Sequence, residues 1–446
     1  MELAGKSVVV VGTKRSGKAA IDLLLKHGAR VCALDAQPAK DDEGALGVPI
    51  LLQTPENLET AAPDLIVLSP AVPYDLPMFV AARTRGTPVI GEVELASFFL
   101  KGPVIGITGS NGKTTTTALT GHLLKACGIE AQVGGNIGTA VTAMVESSSE
   151  TQWNVLELSS FQLETIHHFR ARISACLNVT PDHLDRHHTF EQYAAAKARL
   201  FETQQPGDFA VLNWNDATCR DFAKRTAAAV HWFSSAGDAP GGMRLHGDEL
   251  FWDGRPFLRR SQLPLRGLHN VENVMAAAAI ARLAGAALES IAEGVLTFPG
   301  VEHRIEFVRS LHGVSYFNDS KATNVDATLK AIEAFDGGLW LILGGKDKGS
   351  DYGPLRQPLA KRAKGVLLIG APPPYAYAAA PLIREALDGV LPLFDCGTLA
   401  RAVCCAREHA SAGDTVLFAP ACASFDQFEN FEERGRAFKQ LVAELF

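Results

Sequence analysis

The chain has 446 residues, of which 47% are hydrophobic and 20% are charged. This length is typical of about three domains, and the composition is typical of a globular protein rather than a disordered or fibrous one. The formal net charge is −7 and no block of Lys or Arg stands out, which disfavours a protein that binds nucleic acids or anionic membranes.

No apolar run reaches the roughly 18 residues that a transmembrane helix needs, so we expect no membrane insertion. The apolar run at 8–11 is short, ends at Gly12, and is typical of a strand rather than a signal peptide. The eight cysteines are sparse and none has Cys-x-x-Cys spacing. In the absence of an export signal they are most simply reduced thiols, which predicts a cytoplasmic protein.

Short apolar runs alternate with Ala-rich helical stretches along the whole chain. Continuous apolar strands separated by helices predict an α/β fold with parallel sheets covered on both faces. The predicted strands are 7–11, 65–68, 104–108, 154–158, 175–179, 339–343, 366–369 and 415–418. An amphipathic helix is predicted around 273–287, and domain junctions are predicted near 91–102 and 298–300. The predicted domains are therefore 1–92, 93–299 and 300–446.

The first predicted strand leads into a turn that contains Gly12 and Lys14, and Asp35 ends the next strand. A Gly-x-Gly-x-x-Gly dinucleotide fingerprint would need its second glycine where Lys14 stands. A nicotinamide-dependent dehydrogenase is therefore disfavoured. The helix that follows Gly12 could still hold an anion at its N-terminus. A Rossmann-like scaffold without a ligand is the alternative.

The strongest local signal is a glycine-rich segment between an apolar strand and a predicted helix. It reads Gly106-Ile107-Thr108-Gly109-Ser110-Asn111-Gly112-Lys113-Thr114-Thr115. Glycines let backbone N–H groups curl around phosphates, the lysine neutralises phosphate charge, and a hydroxyl can reach Mg²⁺. The segment predicts ATP binding, and a plain glycine-rich turn is the alternative.

Further polar residues follow the next two predicted strands. Glu157 stands at the carboxyl end of a strand, where ligands bind to open α/β sheets, and could hold Mg²⁺. His183 and His187 are four residues apart and could bind zinc on a helix, but no further ligand completes such a site. A single metal ligand or a substrate contact from His183 is favoured, and His187 and His188 are expected to be exposed. From its helical pattern alone, Lys197 is expected on a solvated face.

Taken together, these and later segments resemble the Mur ligase family, the ATP-dependent enzymes that add amino acids to the peptidoglycan precursor. The matching segments are 109–114, 134–138, 157–164, 182–186, the helix of Lys197, 268–270, 300–304, 318–324, 343–349 and 420–428. The resemblance covers the whole chain, and within the family it favours the branch that adds D-glutamate.

The resemblance implies a Rossmann-like N-terminal domain, a central P-loop ATPase-like domain with a parallel sheet, and a Rossmann-like C-terminal domain. The implied substrates are ATP, UDP-N-acetylmuramoyl-L-alanine and D-glutamate, joined through an acyl phosphate. The implied cofactors are Mg²⁺, as two ions, and a CO₂-derived carbamate on Lys197. Closure of the third domain over the central one is expected, because an acyl phosphate would hydrolyse in open water. We also expect a monomer.

The family's roles carry over to matching residues of this sequence. ATP would contact Gly109, Ser110, Asn111, Gly112, Lys113, Thr114, Thr115, Asn270, Arg304, Asp319 and Lys321. The UDP-sugar would contact Arg15, Ser16, Asp35, Ser69, Asn136, Ser159 and Gln162. D-Glutamate would contact Thr323, Lys348, Ser424 and Phe431. The metal ligands would be Thr114, Glu157, His183 and carbamylated Lys197, and the catalytic residues Lys113, His183, Lys197 and Arg304.

Four residues depart from the family's pattern, and several alternatives stay open. Ser110 stands where the family usually has Thr, which is a mild change. Arg15 and Ser16 stand where the closest pattern has Leu and Thr, and Gln37 stands where it often has Arg, so the uracil contacts are the least secure transfer. The alternatives within the class are relatives that add L-alanine or a diamino acid, and folylpolyglutamate synthetase. A nucleotide-binding regulatory or transport ATPase is the alternative of a different class.

Overall fold

The computed structural model describes residues 1–38, 46–237, 239–371 and 377–446. It confirms the predicted α/β fold, because strands and helices alternate and most neighbouring strands are parallel. The strands are β1 (Ser7–Val11), β2 (Arg30–Asp35), β3 (Ile50–Leu52), β4 (Leu65–Leu68), β5 (Val89–Gly91), β6 (Val104–Thr108), β7 (Ala131–Gly135), β8 (Trp153–Glu157), β9 (Ile173–Cys176), β10 (Phe209–Asn213), β11 (Ala229–Ser234), β12 (Met243–His246), β13 (Glu249–Trp252), β14 (Arg255–Arg259), β15 (Glu306–Leu311), β16 (Val314–Asn318), β17 (Leu339–Gly344), β18 (Ala363–Ile369), β19 (Leu393–Gly397) and β20 (Thr415–Phe418).

The helices connect these strands and cover the sheets. They are α1 (Arg15–Lys26), α2 (Pro55–Ala61), α3 (Pro77–Thr84), α4 (Glu92–Ser97), α5 (Lys113–Ala126), α6 (Val141–Met144), α7 (Ser160–Leu163), α8 (Leu184–His187), α9 (Phe190–Glu202), α10 (Ala217–Phe222), α11 (Leu268–Leu283), α12 (Leu288–Leu296), α13 (Val325–Glu333), α14 (Arg356–Arg362), α15 (Ala379–Leu387), α16 (Leu399–His409) and α17 (Phe431–Ala443). Within the described ranges, no helix is long and apolar enough to cross a membrane.

The strands form three sheets in the described part of the chain. The first has the order β3-β2-β1-β4-β5 and is parallel throughout. The second has the order β14-β13-β12-β11-β10-β9-β6-β8-β7, and the third has the order β15-β16-β20-β17-β18-β19. Helix-covered parallel strands are buried on both faces, so they read as continuous apolar runs. In β1, Val8 and Val10 enter one core cluster while Val9 and Val11 enter another.

The chain divides into two compact units. The first unit comprises Met1–Pro264 and His269–Phe298 and contains the five-stranded and the nine-stranded sheet. The second unit comprises Leu265–Leu268 and Pro299–Phe446 and contains the six-stranded sheet. The three domain ranges predicted from the sequence stay a prediction.

Two details differ from the sequence interpretation. The helix expected around 273–287 is α11, which ends at Leu283 and is buried on every side over 273–281 rather than amphipathic. Its run of alanines allows neighbouring elements to approach from all directions, so no polar face is needed. The antiparallel strands β12 to β14 and the strand β15 were not predicted because they are only partly buried. The strand β16, which is largely buried, was also not predicted.

Candidate active site

The glycine-rich segment joins β6 to α5 at the carboxyl end of the nine-stranded sheet, and β6 lies between β8 and β9. Gly112 has a φ of +84° and lies immediately before the first helical residue, Lys113. A Cβ on Gly112 would approach the Oδ1 atom of Asn273 to 2.3 Å. Only glycine fits this position without strain. The backbone N–H groups at the start of α5 therefore remain close to the loop, as in phosphate-binding loops.

The segment after β9 holds this loop in place. The Asn111 backbone N–H donates to Oδ1 of Asn178 at 2.8 Å. The Ser110 hydroxyl donates to the Thr180 carbonyl oxygen at 2.9 Å and lies 2.9 Å from the Tyr193 hydroxyl. The loop is thus a fixed structure, which a preorganised phosphate site requires.

Two lysine ammonium groups meet at a single carbonyl oxygen of this loop. The Nζ atom of Lys113 donates to the Gly109 oxygen at 2.8 Å and to the Ser110 oxygen at 2.9 Å. The Nζ atom of Lys197 donates to the same Gly109 oxygen at 2.9 Å. Two positive charges this close repel each other, and a phosphate or another anion bound between them would relieve that repulsion.

Lys197 is buried, with 1% of its surface exposed, so the solvated position expected from its helical pattern is wrong. It lies on α9 with its Nζ 4.6 Å from the centre of the Tyr193 ring. Burial, followed by the charge of Lys113, lowers the pKa of Lys197 to about 7. A large part of this amine is therefore neutral near pH 7, and the neutral amine is the form that reacts with CO₂.

Glu157 ends β8, as the sequence predicted, and is 2% exposed. Its Oε1 atom accepts a hydrogen bond from Nδ2 of Asn136 at 2.8 Å. Its Oε2 atom is buried and has no hydrogen-bond partner among the described residues. A buried carboxylate oxygen needs a partner, and a hard cation such as Mg²⁺ is a suitable one. The donor set predicted for Mg²⁺ is thus compatible with the structure at this residue.

The histidine-rich segment differs from the sequence expectation at one position. His183 has a φ of +53° and an exposed ring 4.9 Å from the Phe161 ring. His188 is exposed, as expected. His187 is only 4% exposed: Nε2 lies 2.9 Å from the Ser160 hydroxyl, and Nδ1 lies 3.1 Å from Oε1 of Glu164. The expectation of an exposed His187 is therefore wrong, because both ring nitrogens have polar partners, in buried Ser160 and half-buried Glu164. Within the described ranges no three His, Cys, Asp or Glu side chains gather as a metal site.

A cavity of about 500 Å³ opens beside the N-terminal end of α1. It is lined by Thr13, Lys14, Arg15, Lys18, Asp35, Ala36 and Gln37. Oδ2 of Asp35 accepts hydrogen bonds from the backbone N–H and the hydroxyl of Thr13, both at 2.8 Å. Burial raises the pKa of Asp35, but hydrogen bonds from Gln37 and Thr13 outweigh it and lower the pKa overall. The cavity therefore combines basic side chains with an ionised acceptor.

Hydrogen bonds link Arg15, at the edge of this cavity, through Asn136 to Glu157 within the first unit. Nη2 of Arg15 donates to the Asn136 carbonyl oxygen at 3.2 Å, and the Asn136 side chain donates to Glu157. Ser69 is buried and its hydroxyl donates to the Gly12 carbonyl oxygen at 2.8 Å. Three further residues were predicted to contact the UDP-sugar. Ser159 and Gln162 form the capping box of α7, and Ser16 is the second residue of α1.

In the second unit, Asp319 directly follows β16 and is buried. Its Oδ1 atom accepts a hydrogen bond from the Ile305 backbone N–H at 3.3 Å. Burial raises the pKa of Asp319 to about 7, although the positive charges of Arg304 and Lys321 act in the opposite direction. A carboxyl with this pKa beside two cations is typical of a functional site.

The residues predicted for D-glutamate lie at the carboxyl ends of the parallel strands of the second unit. Lys348 is exposed and follows β17, and Ser424 is buried and follows the neighbouring strand β20. Nζ of Lys321 lies 5.2 Å from the centre of the Phe431 ring, and the Thr323 backbone N–H donates to the Lys321 oxygen at 2.8 Å. The structure thus brings Lys321 and Phe431 together, and Thr323 lies two residues after Lys321.

Sequence reasoning missed several residues that shape these loops. Tyr193 and Asn178 brace the phosphate loop, and Asn273 contacts both Thr116 and Asn270. Arg434 is buried and donates to the backbone oxygens of Ser320 and Cys422. An arginine within a helical pattern gives no signal of burial, since arginines are mostly exposed.

The parallel sheets, the glycine-rich strand–loop–helix segment and the cations at its mouth define a phosphate-loop protein of the α/β class. Residues 107–281 match the family model for the Mur ligase middle domain, and residues 303–422 match the model for the Mur ligase glutamate ligase domain. The chain therefore belongs to the Mur ligase family.

Relatives of high similarity extend over nearly the full chain. The chain is 57% identical to UDP-N-acetylmuramoylalanine–D-glutamate ligase of Solibacter usitatus, over 99% of this chain and 98% of the relative. It is 50% identical to the ligase of the same name from Acidobacterium capsulatum, over 99% and 97% of the two chains. The fold is similar to that of UDP-N-acetylmuramate–alanine ligase from Thermotoga maritima, with a TM-score of 0.61, 19% identity, and 98% and 99% of the two chains covered.

Proposed function

We propose that the protein is a cytoplasmic ATP-dependent ligase that joins D-glutamate to UDP-N-acetylmuramoyl-L-alanine. The observation that carries this proposal is the 57% identity, over nearly the whole chain, to a ligase named for that reaction. The local geometry supports it through the meeting of Lys113 and Lys197 at the phosphate loop. That a monomer performs the reaction stays a prediction.

The chemistry requires an activated carboxylate, because a carboxylate does not react with an amine to form an amide at neutral pH. ATP transfers its γ-phosphoryl group to the alanyl carboxylate, which gives an acyl phosphate and ADP. The amine of D-glutamate then attacks the acyl carbon, and inorganic phosphate leaves from the tetrahedral intermediate. Two anions approach each other in the first step, so fixed positive charge dominates catalysis.

The residues of this chain have distinct parts in that reaction. The backbone N–H groups of the loop that ends at Gly112 hold the phosphates. Lys113, whose ammonium contacts the Gly109 and Ser110 carbonyl oxygens, would contact the phosphoryl oxygens of ATP. Arg304 would supply a second positive charge to the transferred group. Thr114, Glu157, His183 and carbamylated Lys197 would hold Mg²⁺, which neutralises phosphate charge when bound.

Carbamylation fits the electrostatics of the loop. An ammonium on Lys197 repels Lys113, since both contact the Gly109 oxygen. A carbamate on Lys197 carries one negative charge, so it would attract Lys113 and offer oxygen ligands to a divalent cation. The same modification removes a buried positive charge that the surroundings disfavour.

Two lysine variants test the proposal. Each is assayed for phosphate release from ATP in the presence of UDP-N-acetylmuramoyl-L-alanine and D-glutamate. Lys113→Ala should reduce kcat by at least about a hundredfold at saturating ATP, because the positive charge that stabilises the transferred phosphoryl group is lost. Lys348→Ala should raise KM for D-glutamate by about tenfold or more and leave KM for ATP unchanged, because a side-chain carboxylate loses its cationic partner. Near-normal turnover of Lys113→Ala, or unchanged D-glutamate saturation in Lys348→Ala, would contradict the proposed roles.

A further inference from the structure

The turn that carries Lys348 is closed by a neighbouring carboxylate. Oδ2 of Asp347 accepts a hydrogen bond from the Gly349 backbone N–H at 2.8 Å, and Oδ1 accepts one from the Ser350 N–H at 3.3 Å. Burial raises the pKa of Asp347, but the hydrogen bonds to its carboxylate outweigh this and lower the pKa overall. The group is therefore ionised at neutral pH, which strengthens the bonds that shape the turn.

A buried tyrosine donates a hydrogen bond to this carboxylate from the core of the second unit. The hydroxyl of Tyr352, a residue that is 3% exposed, donates to Oδ1 of Asp347 at 2.7 Å and lies 3.3 Å from Sγ of Cys422. A hydroxyl has one hydrogen, so the thiol of Cys422 is the donor in the second contact. The three side chains form a line of hydrogen bonds from the turn of Lys348 into the core of the second unit.

The Cys422 end of this line is anchored independently. The Cys422 carbonyl oxygen accepts a hydrogen bond from Nη2 of buried Arg434 at 3.1 Å. The next residue, Ala423, accepts one from the Lys346 backbone N–H at 2.9 Å. The backbone N–H of Asp347 also donates to the Tyr377 carbonyl oxygen at 2.8 Å, so the backbone at 346–347 is held without Tyr352. What Tyr352 fixes is the Asp347 side chain, and through its carboxylate the turn at 348–350.

We infer that Tyr352 and Asp347 are positioning residues for Lys348: the Asp347–Tyr352–Cys422 line fixes the turn from which Lys348 reaches the carboxylate of the incoming amino acid. This inference rests on the proposed function, in which Lys348 binds D-glutamate. Preorganised cations bind anions more strongly, because less side-chain and loop freedom is lost on binding. Loss of the line should therefore weaken amino-acid binding and leave the phosphate loop unaffected.

Tyr352→Phe is the clearest test, since it removes only the hydroxyl and changes no formal charge near Lys348. We expect KM for D-glutamate to rise by about threefold to tenfold, the range for one lost hydrogen bond, with kcat and KM for ATP within about twofold of the wild type. The matched control is Tyr316→Phe, which removes the hydroxyl of another buried tyrosine, on β16 of the same unit. The control should leave KM for D-glutamate unchanged.

Two double variants test whether the effect passes through these residues. In an Asp347→Ala background, Tyr352→Phe should cause no further rise in KM, because the acceptor is already absent. In a Lys348→Ala background, Tyr352→Phe should likewise have no effect on D-glutamate saturation. A rise that persists in either background, or an equal change in KM for ATP, would show a general structural role and overturn the inference.

The result also separates this inference from the proposed function. If the wild type requires D-glutamate and Lys348→Ala raises its KM, but Tyr352→Phe does not, the positioning role is wrong and the proposed function stands. If the wild type releases phosphate without any dependence on D-glutamate, the proposed function is wrong and the positioning role falls with it.

Discussion

Lys197 places a titratable amine in a buried position, where the loss of water and the charge of Lys113 outweigh the attraction of Asp182 for its positive charge. Its Nζ contacts the Gly109 oxygen, and its pKa is lowered to about 7 by burial and by Lys113. Reaction with CO₂ replaces that charge by a carbamate. Because a metal-binding carbamate would be essential, we expect Lys197→Ala to lose on the order of a hundredfold in activity.

Chemical rescue separates a carbamate from an ordinary lysine. Added acetate should partly restore activity to Lys197→Ala, because a small carboxylate can occupy the vacated volume. Lys197→Arg should stay inactive, since it keeps the positive charge and cannot form the carbamate. Wild-type protein in labelled bicarbonate should give a carbamate carbon signal by NMR that Lys197→Ala lacks. A fully active Lys197→Arg enzyme is the result that rules this role out.

Asp319 provides a pH-dependent contribution to stability with a definite sign. Its pKa rises from 3.8 to about 7 in the folded protein because of burial, against the opposing charges of Arg304 and Lys321. Between those values the folded state binds more protons than the unfolded state, so the free energy of unfolding falls as pH rises. An asparagine at this position cannot ionise, so it would not cause this fall in the free energy of unfolding.

We therefore expect Asp319→Asn to gain stability relative to the wild type as pH rises from about 4 to about 8. Urea denaturation of both proteins at several pH values measures this difference in the free energy of unfolding. A difference that is flat over this window, or that changes in the opposite direction, would show that folding does not raise the pKa of Asp319.

The phosphate loop is the element that the sequence predicted best. Its glycines, its lysine and its position between β6 and α5 all follow from the residue pattern, because local backbone geometry decides them. The partners that brace it did not follow, since Asn178 and Asn273 come from distant parts of the chain. The prediction that His187 is exposed was wrong for the same reason, because its burial depends on contacts with Ser160 and Glu164, which lie elsewhere in the sequence.

A glycine substitution tests the geometry of this element. Gly112→Ala puts a Cβ against Asn273 and also imposes strain on a residue with a φ of +84°. We expect its Kd for ATP to rise by at least about tenfold, because a displaced loop costs on the order of 1–3 kcal/mol. The matched control is Gly128→Ala, whose φ is +71° and whose Cβ would have nothing within 4 Å. Equal ATP binding by both variants, measured by calorimetry, would refute the assigned geometry.

At the scale of the whole molecule, the α/β class and the parallel strands could be predicted from sequence because buried parallel strands are continuous apolar runs. The antiparallel strands β12 to β14 could not, because their side chains are only partly buried and give no continuous run. Prediction of the site residues depended on the resemblance to the Mur ligase family as well as on local sequence patterns. Arg304, Asp319 and Lys348 carry no local signature of their chemistry, and their roles become visible only through the family's motifs.

We expect the protein to add D-glutamate, and no other amino acid, to UDP-N-acetylmuramoyl-L-alanine. The most direct measurement is phosphate release from ATP with UDP-N-acetylmuramoyl-L-alanine and each candidate amino acid in turn, with the product identified by mass spectrometry. We expect release only when D-glutamate and the UDP-sugar are both present, with one phosphate per amide formed. Release that needs no UDP-sugar would indicate a nucleotide-binding ATPase of another class, and preference for L-alanine or a diamino acid would contradict the account directly.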